Sequence, residues 1–340
     1  MNQESRYDRQ IRFAPIGQQG QERLARAKVL VLGVGALGTV AAELLARAGI
    51  GTLRIVDRDT VEWSNLQRQS LFDEDDARLQ LAKADAAANK LRQINSQIEI
   101  QPHACDVHPG NITSLLGDID LTVDATDNFP TRFLLNDAAF RLRKPWVHGG
   151  CVGSQGQVGF FTGTGHPCFR CIVPDPPQPG SVQTCDTAGV VNAATHLIAS
   201  LQVAQAIRWL VGDPSATMSK LQTIDVWTMR FTQIDLGGLT PTDCPVCCHQ
   251  NFEFLEGSKI QSPIALCGRD AVQIPAGQPV DFERIVPRWQ SIGTVQSNPF
   301  LLRLSCEGIS ITLFRDGRAI INGTNDIAKA KSIYARFVGE

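Results

Sequence analysis

Lys28-Val29-Leu30-Val31-Leu32-Gly33-Val34-Gly35-Ala36-Leu37-Gly38 decides the reading of this chain. A short apolar run is followed by G-x-G-x-x-G, and an Ala- and Leu-rich segment over 40–48 continues at helical spacing. This is the strand–turn–helix context that the nucleotide fingerprint requires. Gly33 permits a tight turn, Gly35 lets backbone approach a phosphate, and Gly38 lets the helix pack close to the strand. The helix N-terminus then offers N–H groups and a positive dipole end to an anion. A second strand, Leu53-Arg54-Ile55-Val56-Asp57, ends in an acid at the distance where such folds hold a ribose hydroxyl. The bland alternative is an ordinary tight βα turn. The motif implies an adenine nucleotide and leaves the chemistry open.

The chain has 340 residues, room for one large or two small domains. Its formal net charge of −2 leaves no basic footprint for a nucleic acid. No apolar run is long enough to span a membrane. The N-terminal Met1-Asn2-Gln3-Glu4-Ser5-Arg6 is polar and has no apolar core like that of a signal peptide. The expected location is the cytoplasm. There, ten cysteines point to metal binding or catalysis ahead of disulfides.

Working outward, the polar loop 59–69 follows Asp57 at the carboxyl end of a strand, the edge where open α/β sheets bind ligands. Within it, Arg68 suits a forked contact to phosphate, and Asn65 can add a hydrogen bond. A helix expected over 79–94 carries Lys83 near its start, either a solvated charge or a second phosphate ligand. Strands are expected over 98–101 and 121–124, with a weak helix over 112–116 between them. Asp127 lies just past the second of these strands, where it could hold a magnesium ion with a phosphate. Asp127 and Asn128 are equally plain caps for a helix over 130–142. His148, on a strand over 144–150, reads as structural. Arg9 in Arg6-Tyr7-Asp8-Arg9-Gln10 has the ordinary reading of a solvated charge. The alternation of strands and helices predicts an α/β fold with a doubly wound, mostly parallel sheet. From Gly156 onward strands become adjacent, which predicts an antiparallel extension ending in a hairpin over 220–235.

Cys168-Phe169-Arg170-Cys171 and Cys244-Pro245-Val246-Cys247 are two C-x-x-C knuckles. Each can place two thiolates on a zinc ion; one shared site and two separate redox pairs are both open. Between them, a Pro-rich loop over 174–186 delivers Cys185 just before a helix expected over 190–211. A cysteine near a helix N-terminus tends to a lowered pKa, which makes Cys185 a nucleophile candidate; a small buried side chain is the alternative. The domains expected are 1–250, a linker over 251–262, and a small α+β unit over 263–340. That unit has strands over 300–305 and 309–314, an Asp316-Gly317 turn and a helix over 327–338. Cys267 and Cys306 read there as core.

The glycine motif, Asp57, Ser64-Asn65-Leu66-Gln67-Arg68-Gln69, Lys83, Ala125-Thr126-Asp127-Asn128 and the paired C-x-x-C together resemble the MoeB/ThiF family. These are adenylyltransferases of sulfur-carrier proteins, related to ubiquitin-activating enzymes. The resemblance runs from about Arg6 to Cys248. It implies that ATP and Mg²⁺ bind, and that the C-terminal Gly-Gly carboxylate of a ubiquitin-like sulfur carrier attacks the α-phosphate. Acyl-adenylate and pyrophosphate result, for later sulfur transfer from a donor such as a cysteine desulfurase or rhodanese. It further implies Gly33, Gly35 and Gly38 against the nucleotide, Asp57 on the ribose, and Asn65, Arg68 and Lys83 on the phosphates. Asp127, flanked by Asn128, would hold magnesium. Arg9 would reach the other subunit of a homodimer, and Cys168, Cys171, Cys244 and Cys247 would hold structural Zn²⁺. Cys185 matches a crossover-loop cysteine that only some members use covalently. Two departures stand out: Leu81-Ala82 precedes Lys83 where many members have Gly or Pro, and the C-terminal unit lacks a rhodanese-type cysteine loop. An NAD-dependent oxidoreductase and a silent scaffold for a ubiquitin-like partner are the competing readings on the same fold.

Overall fold

Strand β1 (Lys28–Leu32) is buried from Val29 to Leu32 because its edges and faces are all covered. In the computed structural model, the described residues are 3–339, apart from 178–180, 182, 184, 218–219, 240, 258–263, 267–269, 276–278, 298–300 and 307. β1 pairs in parallel with β2 (Thr52–Val56) on one side and with β4 (Leu121–Asp124) on the other. β3 (Glu99–His103) and β5 (Trp146–Val152) complete the parallel part. β6 (Gln155–Phe161), β7 (Lys220–Asp225) and β8 (Arg230–Asp235) continue the sheet antiparallel, in the order β3-β2-β1-β4-β5-β6-β7-β8. The doubly wound, mostly parallel sheet with an antiparallel extension is therefore present. Parallel neighbours require crossovers, so every βα connection of this part emerges at the carboxyl edge.

Among the described residues, two α-helices precede β1, five fill those crossovers, and three lie between β6 and β7. In chain order they are α1 (Gln3–Ile11), α2 (Gly17–Arg26), α3 (Ala36–Ala48), α4 (Glu74–Arg78), α5 (Lys83–Ile94), α6 (Ile112–Leu116), α7 (Phe129–Leu142) and α8 (Phe169–Ile172). α9 (Cys185–Ala188) and α10 (Asn192–Val211) follow. Small residues let α3 lie close to the sheet: Ala41, Ala42 and Ala46 are fully buried beside Leu45. Gly33 takes φ +88°, and a Cβ there would meet the Ala125 carbonyl at 2.9 Å. A Cβ on Gly38 would meet the Gly33 carbonyl at 1.8 Å. Both glycines are demanded by close backbone approach.

By contacts the chain divides into Met1–Pro176 with Gly189–Glu256, and Pro177–Ala188 with Gly257–Glu340. The second unit is a separate antiparallel sheet. Its strands are β9 (Ile264–Leu266), β10 (Ala271–Ile274), β11 (Thr294–Ser297), β12 (Leu301–Cys306), β13 (Ile309–Phe314) and β14 (Ala319–Asn322). They run β11-β12-β13-β14-β10-β9. α11 (Phe282–Gln290) and α12 (Ile327–Phe337) supply Trp289, Ile285, Ala330 and Phe337 to its core. Trp289 is fully buried and its indole N–H donates to the Phe337 carbonyl at 2.8 Å.

Several expectations are corrected. The helix expected from residue 79 starts at Lys83, because Thr60 and Ala82 form a bridge and Val61 N–H donates to the Leu81 carbonyl. Residues 251–256 are packed: Phe252, Phe254 and Leu255 are buried, and Asp137 accepts the Phe254 N–H at 2.9 Å. Cys185 does not cap the long helix. It begins the four-residue α9, and Gly189 at φ +71° precedes α10, whose cap is Val191. The helix-dipole argument for its activation is thereby lost. Cys306, half-buried at the end of β12, does pack against the core of the second sheet, and Cys267 lies outside the described residues. β9, β10, β11 and α11 were not among the elements expected from the sequence.

Candidate active site

The carboxyl ends of β1, β2 and β4 converge. The loop after β1 turns at Gly33, and Val34 N–H donates to Asp57 Oδ2 at 2.7 Å. The other carboxylate oxygen of Asp57 accepts the Asp59 N–H at 2.8 Å. Asp57 thus fixes the glycine loop. The N-terminus of α3 has no side-chain cap, so its first N–H groups are free to meet an anion. A Cβ on Gly35 would meet only Gln69 Nε2, at 3.9 Å. None of the described residues crowds that position, so the absent side chain leaves room for a ligand. Gln69 Oε1 is buried beside this cradle with no hydrogen-bond partner among the described residues. An uncapped helix end, an open cradle and an orphaned buried acceptor together fit a nucleotide.

Lys83 is no solvated helix charge: it is 6% exposed, and its Nζ lies 3.6 Å from Asp59 Oδ2. Burial pulls the lysine pKa down, but Asp57 and Asp59 outweigh it and hold the ammonium charged. Burial pushes the Asp57 carboxyl up, with Lys83 opposing. Asp127 is exposed beyond β4, and its charge is felt by both Lys83 and Arg58. Arg58 in turn pairs with Asp106 at 2.9 Å. Arg68 is half-buried in the next loop and donates to the Ser64 carbonyl at 2.8 Å. Asn65 is buried; its Oδ1 accepts the Glu62 N–H at 3.0 Å and closes the turn that presents Arg68. Asn128 Oδ1 caps α7 through the Thr131 N–H at 2.9 Å.

The loop carrying Asp127 rests on a buried polar network that the sequence did not announce. Asp124 Oδ1 accepts from Thr126 N–H at 3.0 Å and from its hydroxyl at 2.6 Å. Asp124 Oδ2 meets His148 Nδ1 at 3.0 Å and Arg132 Nε at 3.4 Å. Arg132 also donates to the carbonyls of Thr126 and Gly149. Burial pushes Asp124 up, but the His148 hydrogen bond and the Arg132 charge win and hold it low. Burial depresses the His148 pKa, so the ring is neutral. Facing a carboxylate, its Nδ1 carries the proton and its Nε2 accepts from Gln157 Nε2 at 3.2 Å. His148 is structural, as its isolated strand position suggested. Arg58 and Arg132 escaped the sequence reading, and Asp59 and Gln69 were named only as parts of a loop and a motif, because burial and partner distinguish them from ordinary polar residues.

Arg9 sits elsewhere. α1 docks through Tyr7, whose hydroxyl accepts from Asn95 at 2.9 Å, and through Gln10, which donates to the Ala48 carbonyl at 2.9 Å. Ala48 ends the 13-residue α3. That helix is about 20 Å long, so α1 lies at the opposite end from the Gly35 cradle. Arg9 is exposed there, remote from the site of its own chain.

The two C-x-x-C knuckles come together. Cys168 Sγ lies 3.8 Å from Cys171 Sγ and 3.6 Å from Cys244 Sγ, and Cys171 Sγ lies 3.3 Å from Cys247 Sγ. Tetrahedral zinc with Zn–S bonds of about 2.3 Å sets sulfurs about 3.8 Å apart, so the set fits that ion. Its hydrogen bond to Cys168 and burial push the Cys171 thiol up, and burial with the Cys168 charge does the same to Cys247. Several thiolates this close need a cation. Cys248 Sγ instead donates to the Pro241 carbonyl at 3.0 Å.

A sequence model of the ThiF family matches residues 7–246, and the chain belongs to that family. It is 41% identical to the sulfur carrier protein ThiS adenylyltransferase of Bacillus subtilis, over 98% of this chain and 99% of that one. It is 42% identical to the adenylyltransferase and sulfurtransferase MOCS3 of Anopheles gambiae over 72% of this chain, which spans 54% of that relative. The SAMP-activating enzyme E1 of Haloferax volcanii is 37% identical over 74% of this chain and 91% of its own length. Among solved structures, Escherichia coli MccB matches with a TM-score of 0.61 at 23% identity, covering 73% of each chain; this likeness concerns the fold alone.

Proposed function

We propose that this chain is an adenylyltransferase that activates the C-terminal Gly-Gly carboxylate of a ubiquitin-like sulfur-carrier protein. The observation that carries this is the 41% identity to a ThiS adenylyltransferase along nearly the whole of both chains. That match includes the C-terminal unit, whereas the MOCS3 match covers 243 residues of this chain. The carrier is accordingly of the ThiS type. A dehydrogenase reading has no counterpart among these relatives.

The reaction joins a carboxylate to a phosphate that is already anionic, so positioning and charge neutralisation supply the catalysis. A carboxylate oxygen of the carrier attacks the α-phosphorus of ATP, and the bond to the β-phosphate breaks with release of pyrophosphate. No general base is needed, because the attacking group is already ionised. The Gly33–Gly35–Gly38 turn and the α3 N-terminus receive the phosphates, with Asn65, Arg68 and Lys83 around them. Asp57 takes the ribose. Asp127 would hold Mg²⁺, which neutralises phosphate charge when bound. Asn128, already used as a cap, steadies that loop. Arg9, remote from its own site, serves the site of a second copy in a homodimer. Cys168, Cys171, Cys244 and Cys247 would hold a structural Zn²⁺ that closes the chain between α8 and the turn after β8. Cys185 is dispensable for adenylation and belongs to the later step, when a cysteine desulfurase or rhodanese delivers sulfur. A cytoplasmic setting suits these steps.

The test is ATP–pyrophosphate exchange with each small Gly-Gly carrier of the same organism. Exchange is expected with a ThiS-type carrier, and none with that carrier shortened by its last glycine. Zinc-loaded, ATP-binding protein that exchanges with no carrier would overturn the reading.

A further inference from the structure

The four cysteines are not alike in depth. Cys168 and Cys244 are buried, whereas Cys171 and Cys247 are half-buried. On the outer side, His166 is exposed and its Nδ1 lies 3.0 Å from Cys247 Sγ. His166, Cys247 and Cys248 form a second group whose ligand atoms lie within 4.8 Å of one another. Cys247 belongs to both groups. One imidazole and two sulfurs are a donor set for a thiophilic divalent cation. Four-coordinate zinc also accepts a fifth ligand transiently, so it can pass between overlapping sets without becoming bare.

We propose that His166, Cys247 and Cys248 form an outer landing site for a zinc-like cation, through which the ion enters and leaves the four-cysteine site. This rests on the reading of the four cysteines as a zinc site. An arriving ion binds His166 and the two outer sulfurs at the surface, each thiol giving its proton to solvent. Cys171 lies 3.3 Å from Cys247 and replaces the first outer ligand. Cys168 and Cys244 then close the site. Cys248 takes its proton back and returns to the Pro241 carbonyl. His166 remains as a hydrogen-bond donor to the Cys247 thiolate.

The experiment uses the full-length, zinc-loaded protein and follows replacement of zinc by cadmium(II) through the thiolate-to-metal absorption. One zinc per chain is expected in wild type, His166→Ala and Cys248→Ser, with the same four-thiolate spectrum after exchange. Both variants are expected to exchange roughly tenfold more slowly, the scale on which residues around a metal act. His166→Gln can still donate to Cys247 but is a poor ligand, so it should behave like His166→Ala. Wild-type exchange rates in His166→Ala and Cys248→Ser would overturn the route while leaving the zinc reading intact. So would recovery of the wild-type rate in His166→Gln, which would assign a hydrogen bond in place of ligation. A nitrogen ligand in the wild-type cobalt(II) spectrum would make His166 a resident ligand and would also end the proposal. Absence of zinc from the wild-type protein would remove the proposal together with the reading beneath it.

Discussion

The two sheets of this chain are built from similar strands and put their polar residues to different use. In the eight-stranded sheet, β1, β2 and β4 run parallel, so their loops all leave at one edge. Gly33, Asp57 and Asp127 meet there, although they are far apart in sequence. In the six-stranded sheet, neighbours are antiparallel and turns alternate between the two edges. Its turn residues, such as Asp316 and Gly317, serve the turn itself: Asp316 accepts the Arg318 N–H at 3.0 Å. Connection direction, more than composition, decides which sheet collects a site.

Substitutions in the two sheets should separate activity from stability. Arg68→Ala and Asp127→Ala should each lower carrier-dependent pyrophosphate exchange by about a hundredfold or more, with thermal unfolding unchanged. Trp289→Ala should do the opposite, costing about 3–5 kcal/mol in the second unit while exchange survives. Calorimetry and exchange on the same preparations decide it. Loss of exchange in Trp289→Ala below its unfolding temperature would give the second sheet a part in adenylation.

A smaller effect is expected at the parallel edge. If Arg9 completes the site of a second copy, Arg9→Ala and Arg68→Ala are each inactive alone. Mixed in equal amounts and allowed to exchange subunits, they should recover about a quarter of wild-type exchange, since half the dimers then hold one intact site. Zero recovery would place both arginines at the same site or make Arg9 structural. Smaller still is the expected effect of Arg132→Lys. Lysine keeps the charge beside Asp124 but loses the fork that holds the Thr126 and Gly149 carbonyls. Exchange should fall roughly tenfold, mainly through a raised magnesium requirement. An unchanged magnesium dependence would show that this network does not position Asp127.

The order of strands and crossovers, the glycine turn, the acid after β2 and the two cysteine knuckles were all legible in the sequence. Each is a short-range pattern: a strand alternates or fills with apolar residues, a tight approach demands glycine, and a knuckle needs two cysteines a turn apart. Lys83 was visible as a residue but not as a buried charge, because Asp57 and Asp59, which keep it charged, lie on another strand's loop. Cys185 was read against the wrong helix, since Gly189 and the two residues after it separate α9 from α10. The union of Cys168 and Cys171 with Cys244 and Cys247, the Asp124–Arg132–His148 network and the outward place of Arg9 were decided by tertiary structure alone. Short-range patterns set which local pieces form. Only the folded chain decided which of them share a low-dielectric interior, because burial and ionic partners depend on segments distant in sequence.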